Sequence, residues 1–344
     1  MRIFAILTIL AAMVSSAMAQ PSDLVPASVL MFPTVDSRAG EGMGTVVSVS
    51  NTCASRIVSP TNNYRYGDVQ VHYYYIEGTA PYNNVFNRTE FLTPNDTITV
   101  LAGTHNPEME IGYLLMVAED PESEAAISFN FLIGDEIVVD TKQNKLWAIP
   151  AIGFRALTTS GELDNNGRIK TDLNKNGSVD FDGNEYDLYP DKLYISSFFE
   201  QSATMEGELT LVSGLGSYYR VDVDFLFYDN EEDVFSRGYE FTCWTSEKLS
   251  DISKVTKNLG GTSSEAATGW ARIDGDKAVH ILTGKFWMNE SKESNYDPPI
   301  EGAFVQRVLG ATGFEFGHLL HHSGSQNGNE FPWVLDDDNN QIEK

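Results

Sequence analysis

The chain is predicted to be all-β, built from two tandem immunoglobulin-like β-sandwich domains. Short runs rich in β-branched and aromatic residues recur along it, turn residues separate them, and helical periodicity is almost absent. Seven such runs fall within about 125 residues, which is the strand density of a sandwich.

The clearest strands lie in the first half of the chain. They are expected at residues 29–32, 44–50, 69–76, 96–101, 111–118, 127–133 and 136–140. In the third, Tyr73 and Tyr75 fall on one face and Tyr74 on the other, because successive strand residues point to opposite sides.

The second half repeats this order. Segments 207–212, 219–228, 235–241, 269–273 and 278–286 correspond to segments 44–49, 68–75, 86–91, 112–116 and 126–131. A diverged tandem duplication explains the correspondence, although any two sandwiches share alternation and turn spacing. The expected organisation is a signal peptide (1–19), a first domain (20–154), an acidic linker (155–191), a second domain (192–322) and an acidic, disordered tail (323–344).

The N-terminus has the pattern of a secretory signal peptide. Arg2 precedes an apolar run over residues 3–14, and Ala17 and Ala19 form a small-residue cleavage site, so the mature chain is expected to start at Gln20. No later apolar run is long enough to span a bilayer. The sequence therefore predicts a secreted protein, extracellular or periplasmic, with no membrane insertion.

The charge balance restricts the partners. The net charge of −26 should repel phosphate backbones and anionic lipid surfaces, so nucleic acid is not an expected partner. An extracellular glycan or protein remains a candidate partner, and the oligomeric state cannot be read from the sequence.

An oxygen-rich loop in the linker is the best candidate site. Calcium takes six to eight oxygen ligands, and a D-x-N-x-N-G pattern supplies side-chain oxygens at alternate positions before a sharp glycine turn. Asp172, Asn174 and Asn176 would be the first three ligands. The Ser178 carbonyl would be the fourth, Asp180 the ninth-position ligand, and Val179 an apolar anchor.

This loop resembles the calcium loops of EF-hand and dockerin-type proteins over about a dozen residues. Those loops carry a carboxylate at position twelve, where this chain has Gly183. Asp182 lies one residue early and Glu185 two residues late, so both are candidates for the closing ligand. The alternative is a solvated acidic turn. A preceding copy, residues 163–169, echoes residues 173–179 and favours a selected pattern.

A second resemblance concerns the first half. Segments 86–97, 112–120 and 127–136 resemble parts of uncharacterised secreted bacterial proteins. That resemblance implies export and a β-rich body, and it implies no activity.

Two weaker pairs complete the candidate list. Cys53 and Cys243 would form a disulfide in an oxidising compartment, or remain two separate buried thiols. His318 and His322 would share one helical face at a metal-binding spacing, or lie in a polar edge strand.

The sequence favours a secreted, non-enzymatic binding or surface-associated structural module with a calcium-ordered interdomain linker. The alternative is a secreted, glycan-directed hydrolase that uses a carboxylate pair, with one acid protonated and one ionised. Acidic side chains such as Asp222, Asp224, Glu231, Glu232 and Asp274 are too numerous for one pair to stand out. No catalytic residue is therefore named, and no serine-nucleophile elbow is present.

Overall fold

The structure is a computed structural model. It describes residues 25–54, 57–58, 65–78, 84–164, 167–190, 192–215, 218–259, 267–281, 298–323 and 332–334. The predicted signal peptide lies outside the described residues, as does the predicted tail apart from residues 323 and 332–334. Within the described part, no helix is long and apolar enough to cross a membrane.

Strands dominate the described residues. In chain order they are β1 (Val29–Asp36), β2 (Met43–Asn51), β3 (Ile57–Val58), β4 (Arg65–Tyr66), β5 (Val69–Glu77), β6 (Val85–Leu92), β7 (Thr97–Leu101), β8 (Ile111–Glu119), β9 (Leu132–Asp140), β10 (Lys145–Pro150), β11 (Ile152–Phe154), β12 (Ser178–Asp180), β13 (Lys192–Phe199), β14 (Met205–Ser213), β15 (Tyr219–Asp229), β16 (Val234–Thr242), β17 (Trp244–Lys248), β18 (Thr268–His280), β19 (Ile300–Val308), β20 (Gly313–Phe314), β21 (Phe316–Leu319), β22 (His321–Ser323) and β23 (Pro332–Val334). The helical elements described are single turns: α1 (Ala102–His105), α2 (Leu249–Ile252) and two 3₁₀ turns (Ala39–Glu41, Lys254–Lys257). The predicted all-β class is confirmed.

One boundary prediction is wrong. The strands expected at 127–133 and 136–140 are replaced by the single strand β9, which runs through Gly134 and Asp135. These two residues resemble a turn in the sequence, but a side chain at position 134 would lie 2.6 Å from the Phe32 ring. Glycine is needed there for close packing between the sheets.

The two halves share one sheet order. The first half forms sheets β11-β1-β8-β5-β6 and β20-β10-β9-β2-β7. The second half forms sheets β22-β13-β18-β15-β16 and β21-β19-β14-β17, in which β13, β18, β15 and β16 take the places of β1, β8, β5 and β6. The two-stranded sheets β3-β4 and β12-β23 lie beside these.

The buried apolar residues form three clusters. One lies between the two sheets of the first half and contains Tyr73 and Tyr75, and a second lies between the two sheets of the second half and contains Phe225 and Phe304. Tyr74 belongs to the third, central cluster, so the predicted opposition of Tyr74 to Tyr73 and Tyr75 is confirmed.

The central cluster draws on both halves. Trp147 and Phe154 of the first half share it with Trp244 of the second half and with Phe181 of the predicted linker. Much of the linker segment is therefore buried, including residues 178–181 and 186–190. Each half has its own apolar cluster, but the central cluster joins the two halves. The division into two separate domains therefore remains a prediction.

Polar contacts also cross between the halves. The indole N–H of Trp244 donates to the Pro33 carbonyl at 2.8 Å, and the Thr34 and Thr210 hydroxyls lie 3.3 Å apart. Close by, the Thr34 N–H donates to both carboxylate oxygens of Glu136, at 3.1 and 3.3 Å. Glu136 is fully buried, and this burial raises the pKa of its carboxyl well above the usual 4.5, a shift that the Thr34 N–H only partly opposes.

Glu136 should make stability depend on pH. A carboxyl whose pKa is raised on folding makes its full contribution to stability below its unfolded-state pKa of about 4.5. This contribution is lost as the pH rises through the folded-state pKa. Glu136→Gln should therefore be less destabilising, relative to the parent, at pH 8 than at pH 4.5. Urea unfolding of both proteins across this range would measure the difference, and a difference independent of pH would contradict the prediction.

Candidate functional site

The predicted calcium loop begins after β11 and runs through β12, and it is fixed on both sides. Before the loop, the Thr171 N–H donates to the Ala126 carbonyl at 3.1 Å, and the Thr171 hydroxyl lies 2.7 Å from the Tyr186 hydroxyl. Within the loop, Val179 of β12 is 5% exposed and belongs to the central cluster. The predicted apolar anchor is confirmed, so the loop is held in place on both sides.

The first half of the loop wraps around Asp172. Its carboxylate accepts hydrogen bonds from the N–H groups of Asn176, at 3.1 Å, and Gly177, at 3.0 Å. Asn174 Oδ1 accepts from the same Asn176 N–H at 3.0 Å. Gly177 has φ of +75°, in the left-handed region that favours glycine, so the predicted sharp turn is present.

Two asparagine side chains of the loop donate hydrogen bonds to Asp180. The side-chain amides of Asn174 and Asn176 donate to Asp180 Oδ2 at 2.7 and 3.0 Å. Asp180 is fully buried, and Asn176 Oδ1 accepts from the Ser178 N–H at 2.8 Å. The ligand candidates Asp172, Asn174, Asn176 and Asp180 thus belong to one hydrogen-bonded group.

Glu185 closes this group. It is 1% exposed, and its Oε1 accepts from the Leu173 N–H at 2.6 Å, which brings the carboxylate back to the start of the loop. Its other oxygen, Oε2, is buried and has no hydrogen-bond partner among the described residues. Burial, and then repulsion from Asp180 and Asp182, raises the pKa of Glu185 to about 7.

A turn at Gly183 explains how a late residue can reach the loop. Gly183 has φ of +77°, and its N–H donates to the Tyr186 carbonyl at 2.9 Å, so the chain reverses there. The Asp182 carboxylate accepts from the N–H groups of Asn184 and Glu185, both at 2.8 Å. Of the two closing candidates, Asp182 thus supports the turn, and Glu185 lies against the loop.

The loop is rich in oxygen atoms of the kind that bind hard cations. Among the described residues, no group of three or more histidine, cysteine, aspartate or glutamate side chains is placed to hold a metal by itself. The loop instead combines three carboxylates with asparagine and backbone oxygens, the mixed oxygen set that calcium uses. A buried carboxylate oxygen without a donor is costly, and a cation would remove that cost.

A pocket of about 340 Å³ adjoins the loop. It is lined by Asp172, Gly177 and Ser178 of the loop together with His72 and Glu119. The His72 Nδ1 lies 2.8 Å from Glu119 Oε1, which fixes the imidazole ring against β8. The conformation of the loop therefore determines the shape of this pocket.

The preceding copy of the loop motif contains a buried arginine. The Arg168 side chain donates to Asp164 at 2.7 Å and to Asp120 at 3.0 Å, and it also donates to the Asp68 carbonyl. Arg168 is 8% exposed and both aspartates are buried. Sequence reasoning did not identify this cluster, although a basic residue directly after the repeated glycine was the available signal.

The prediction that His318 and His322 share one face of a helix is wrong. His318 lies in β21, which pairs with β19, and His322 lies in β22, which pairs with β13. The two residues thus belong to edge strands of different sheets. The His318 ring packs against Phe304 with ring centroids 5.7 Å apart, and its Nδ1 lies 2.8 Å from the Leu319 carbonyl.

The cysteines form no disulfide with each other. Cys53 packs against the first-half cluster, whereas Cys243 is fully buried in the central cluster. The Cys243 thiol lies 3.5 Å from the Tyr113 hydroxyl, a contact between the two halves. The alternative of two separate thiols is therefore the observed one.

Three of the carboxylates considered for hydrolysis, Asp222, Asp224 and Asp274, lie on β15 and β18, where Asp224 and Asp274 are directly opposite one another. The Lys277 ammonium lies 2.8 Å from the Asp222 carboxylate, and the Arg272 guanidinium lies 2.8 Å from the Asp274 carboxylate. Asp224 lies exposed on the same strand as Asp222, as its alternation with apolar residues predicts.

Comparisons with known proteins identify no family. No family profile and no curated protein matches the chain. Among solved structures, the crystal structure of Thermotoga maritima 1070 matches at 9% identity and a TM-score of 0.25, over 37% of this chain and 93% of that chain. A cryo-EM structure of Broad Bean Stain Virus matches at 8% identity and a TM-score of 0.19, over 92% of this chain and 96% of that chain. Both TM-scores are below 0.5, so neither likeness supports an argument about function.

Proposed function

We propose that the protein is a secreted, non-enzymatic binding or structural module in which one calcium ion orders the segment between its two β-rich halves. The ion would be held by Asp172, Asn174, Asn176, the Ser178 carbonyl, Asp180 and Glu185. The N-terminal sequence supports export, and the loop geometry supports the ion.

One observation carries the calcium proposal. Glu185 Oε2 is buried beside Asp180 with no hydrogen-bond donor among the described residues. Two clustered carboxylates in a site of low exposure repel each other, and a divalent cation converts this repulsion into attraction. The asparagine amides that now donate to Asp180 could rotate and present their oxygens instead.

The position of the loop indicates what the ion would do. Phe181 and Tyr186 lie on either side of the Gly183 turn and are buried in the central cluster that both halves share. Calcium would therefore stabilise the junction between the halves, since ligand binding to the folded state alone adds to stability. With a Kd near 0.1 mM and free calcium near 1 mM, this gain is about 1.4 kcal/mol.

Calcium titration calorimetry on the mature chain, with thermal melts in calcium and in chelator, tests the proposal. The parent should bind one ion and melt roughly 2–4 °C higher in calcium. Asp180→Ala and Glu185→Gln should weaken binding by about tenfold or more, and both should lose the melt shift. Asp224→Asn, an exposed carboxylate in β15, is the matched control and should behave as the parent does.

The site would be rejected if calorimetry shows no heat of calcium binding to the parent protein and the melting temperature is the same in calcium and in chelator. Binding that survives Glu185→Gln but is lost in Asp182→Asn would assign the closing ligand to Asp182 instead.

A further inference from the structure

A cleft of about 500 Å³ lies between the two halves. The first half contributes β1, β2, β8, β9 and β10 and the turns beside them, and the second half contributes β14, β17 and β19. Its size falls within the range of small-molecule sites, which often occur at interfaces between domains.

The cleft is lined by nearly balanced charges. Its basic residues are Arg38, Lys142, Lys248 and Arg307, and its acidic residues are Asp36, Glu41, Asp140, Glu206 and Glu208. In a chain of net charge −26, four basic groups against five acidic groups make this surface unusually neutral.

These charges are largely paired with each other. Arg38 lies 2.6 Å from Asp36 and 2.8 Å from Glu41, and Arg307 lies 2.6 Å from Glu208. The pairs are fixed further, since Glu208 also accepts from the Ser246 hydroxyl at 2.7 Å. The lining thus offers many hydrogen-bond donors and acceptors without a large uncompensated charge.

Apolar surface interrupts the polar lining. The partly exposed apolar side chains at the cleft are Met43, Ile111 and Leu309. The Trp147 and Trp244 rings also line it but are only 1% and 8% exposed, and the Arg307 guanidinium lies 4.3 Å from the centroid of the Trp147 ring. The indole N–H of Trp244 donates to the Pro33 carbonyl, which fixes the orientation of that ring. Polar groups that fix orientation among apolar side chains are typical of ligand sites.

We propose that this cleft binds a neutral saccharide, which specifies the ligand of the binding module proposed above and rests on that proposal. Sugar hydroxyls both donate and accept, so they can bond to the free positions of carboxylates, lysines and arginines together. The C–H faces of sugar rings can pack on the partly exposed apolar side chains. An anionic ligand would meet five carboxylates and a cationic ligand four basic groups, so the paired lining disfavours both.

Calorimetric titration of the mature protein with neutral hexasaccharides of glucose, xylose, mannose and N-acetylglucosamine tests this inference, beside a printed array of neutral and acidic glycans. Gln143 is exposed at the cleft, so Gln143→Trp should fill the cleft without disturbing the core. The parent should bind at least one neutral saccharide, and Gln143→Trp should weaken that binding by about tenfold or more. Lys254→Trp, exposed in a 3₁₀ turn outside the cleft, is the matched control and should bind as the parent does.

Three results would overturn the inference: no binding of any neutral saccharide, binding confined to acidic glycans or peptides, or equal binding by Gln143→Trp and the parent. The calcium titration is independent of these. Calcium binding without saccharide binding would reject the cleft alone, and saccharide binding without calcium binding would reject the loop alone.

Discussion

Replacing Phe181 with alanine is expected to lower the free energy of unfolding by about 3–5 kcal/mol, the usual loss for a large aromatic side chain removed from a core. Phe181 is fully buried, and its ring centroid lies 4.6 Å from that of Phe154 and 5.3 Å from that of Tyr189. The cavity would open in the cluster that joins the halves. Urea unfolding followed by tryptophan fluorescence and circular dichroism would measure the loss.

Phe314→Ala is the control for this prediction. Phe314 is 83% exposed, so removing its ring should change stability by no more than about 0.5 kcal/mol. A loss below about 1 kcal/mol in Phe181→Ala would show that the segment around β12 is not packed as described.

Replacing Arg168 with methionine should be comparably destabilising, by about 3–5 kcal/mol. The substitution keeps much of the side-chain volume but leaves the buried carboxylates of Asp164 and Asp120 without their cation. An unpaired buried charge costs far more than an exposed ion pair contributes. Thermal and urea unfolding at neutral pH would measure the effect.

The control is Lys175→Met, since Lys175 is exposed and lies 3.4 Å from an exposed Glu162. It should change stability by less than about 1 kcal/mol. Adding Asp164→Asn and Asp120→Asn to Arg168→Met should recover part of the loss, because the buried charges are then removed with their partner. No recovery would indicate that the arginine acts through packing and not through charge.

Local patterns in the sequence predicted most of the strands correctly. Alternation placed Tyr74 opposite Tyr73 and Tyr75, because the side-chain period of a strand is a local property. The D-x-N-x-N-G spacing likewise predicted the turn at Gly177 and the anchor at Val179. These features depend on neighbours within a few residues.

The features that sequence reasoning missed depend on distant residues. The acidic segment was predicted to be a linker because aspartate, asparagine and glycine are frequent in it, and the packing of its Phe181, Tyr186 and Tyr189 into the central cluster was not foreseen. His318 and His322 have a spacing that suits a helix, but pairing with β19 and β13 places them on separate strands. Neither pairing partner can be identified from local spacing.

The cleft shows the same dependence on distant residues. Asp36, Arg38 and Glu41 are close in sequence, but Glu208 and Arg307 reach the same cleft from the second half. Their charges balance only after the halves are packed together.

The pairing of β20 with β10 has a consequence for the order in which the chain can fold. The Gly313 N–H donates to the Asn144 carbonyl at 2.8 Å, and the Glu315 N–H donates to the Leu146 carbonyl at 2.9 Å. The outermost strand of a first-half sheet thus comes from near the end of the chain. A ribosome must make the polypeptide as far as residue 315 before that sheet is complete, and until then the edge of β10 is open to pairing with other chains. Contacts so distant in sequence also form slowly, so β10 should be among the last first-half strands to reach its final partner.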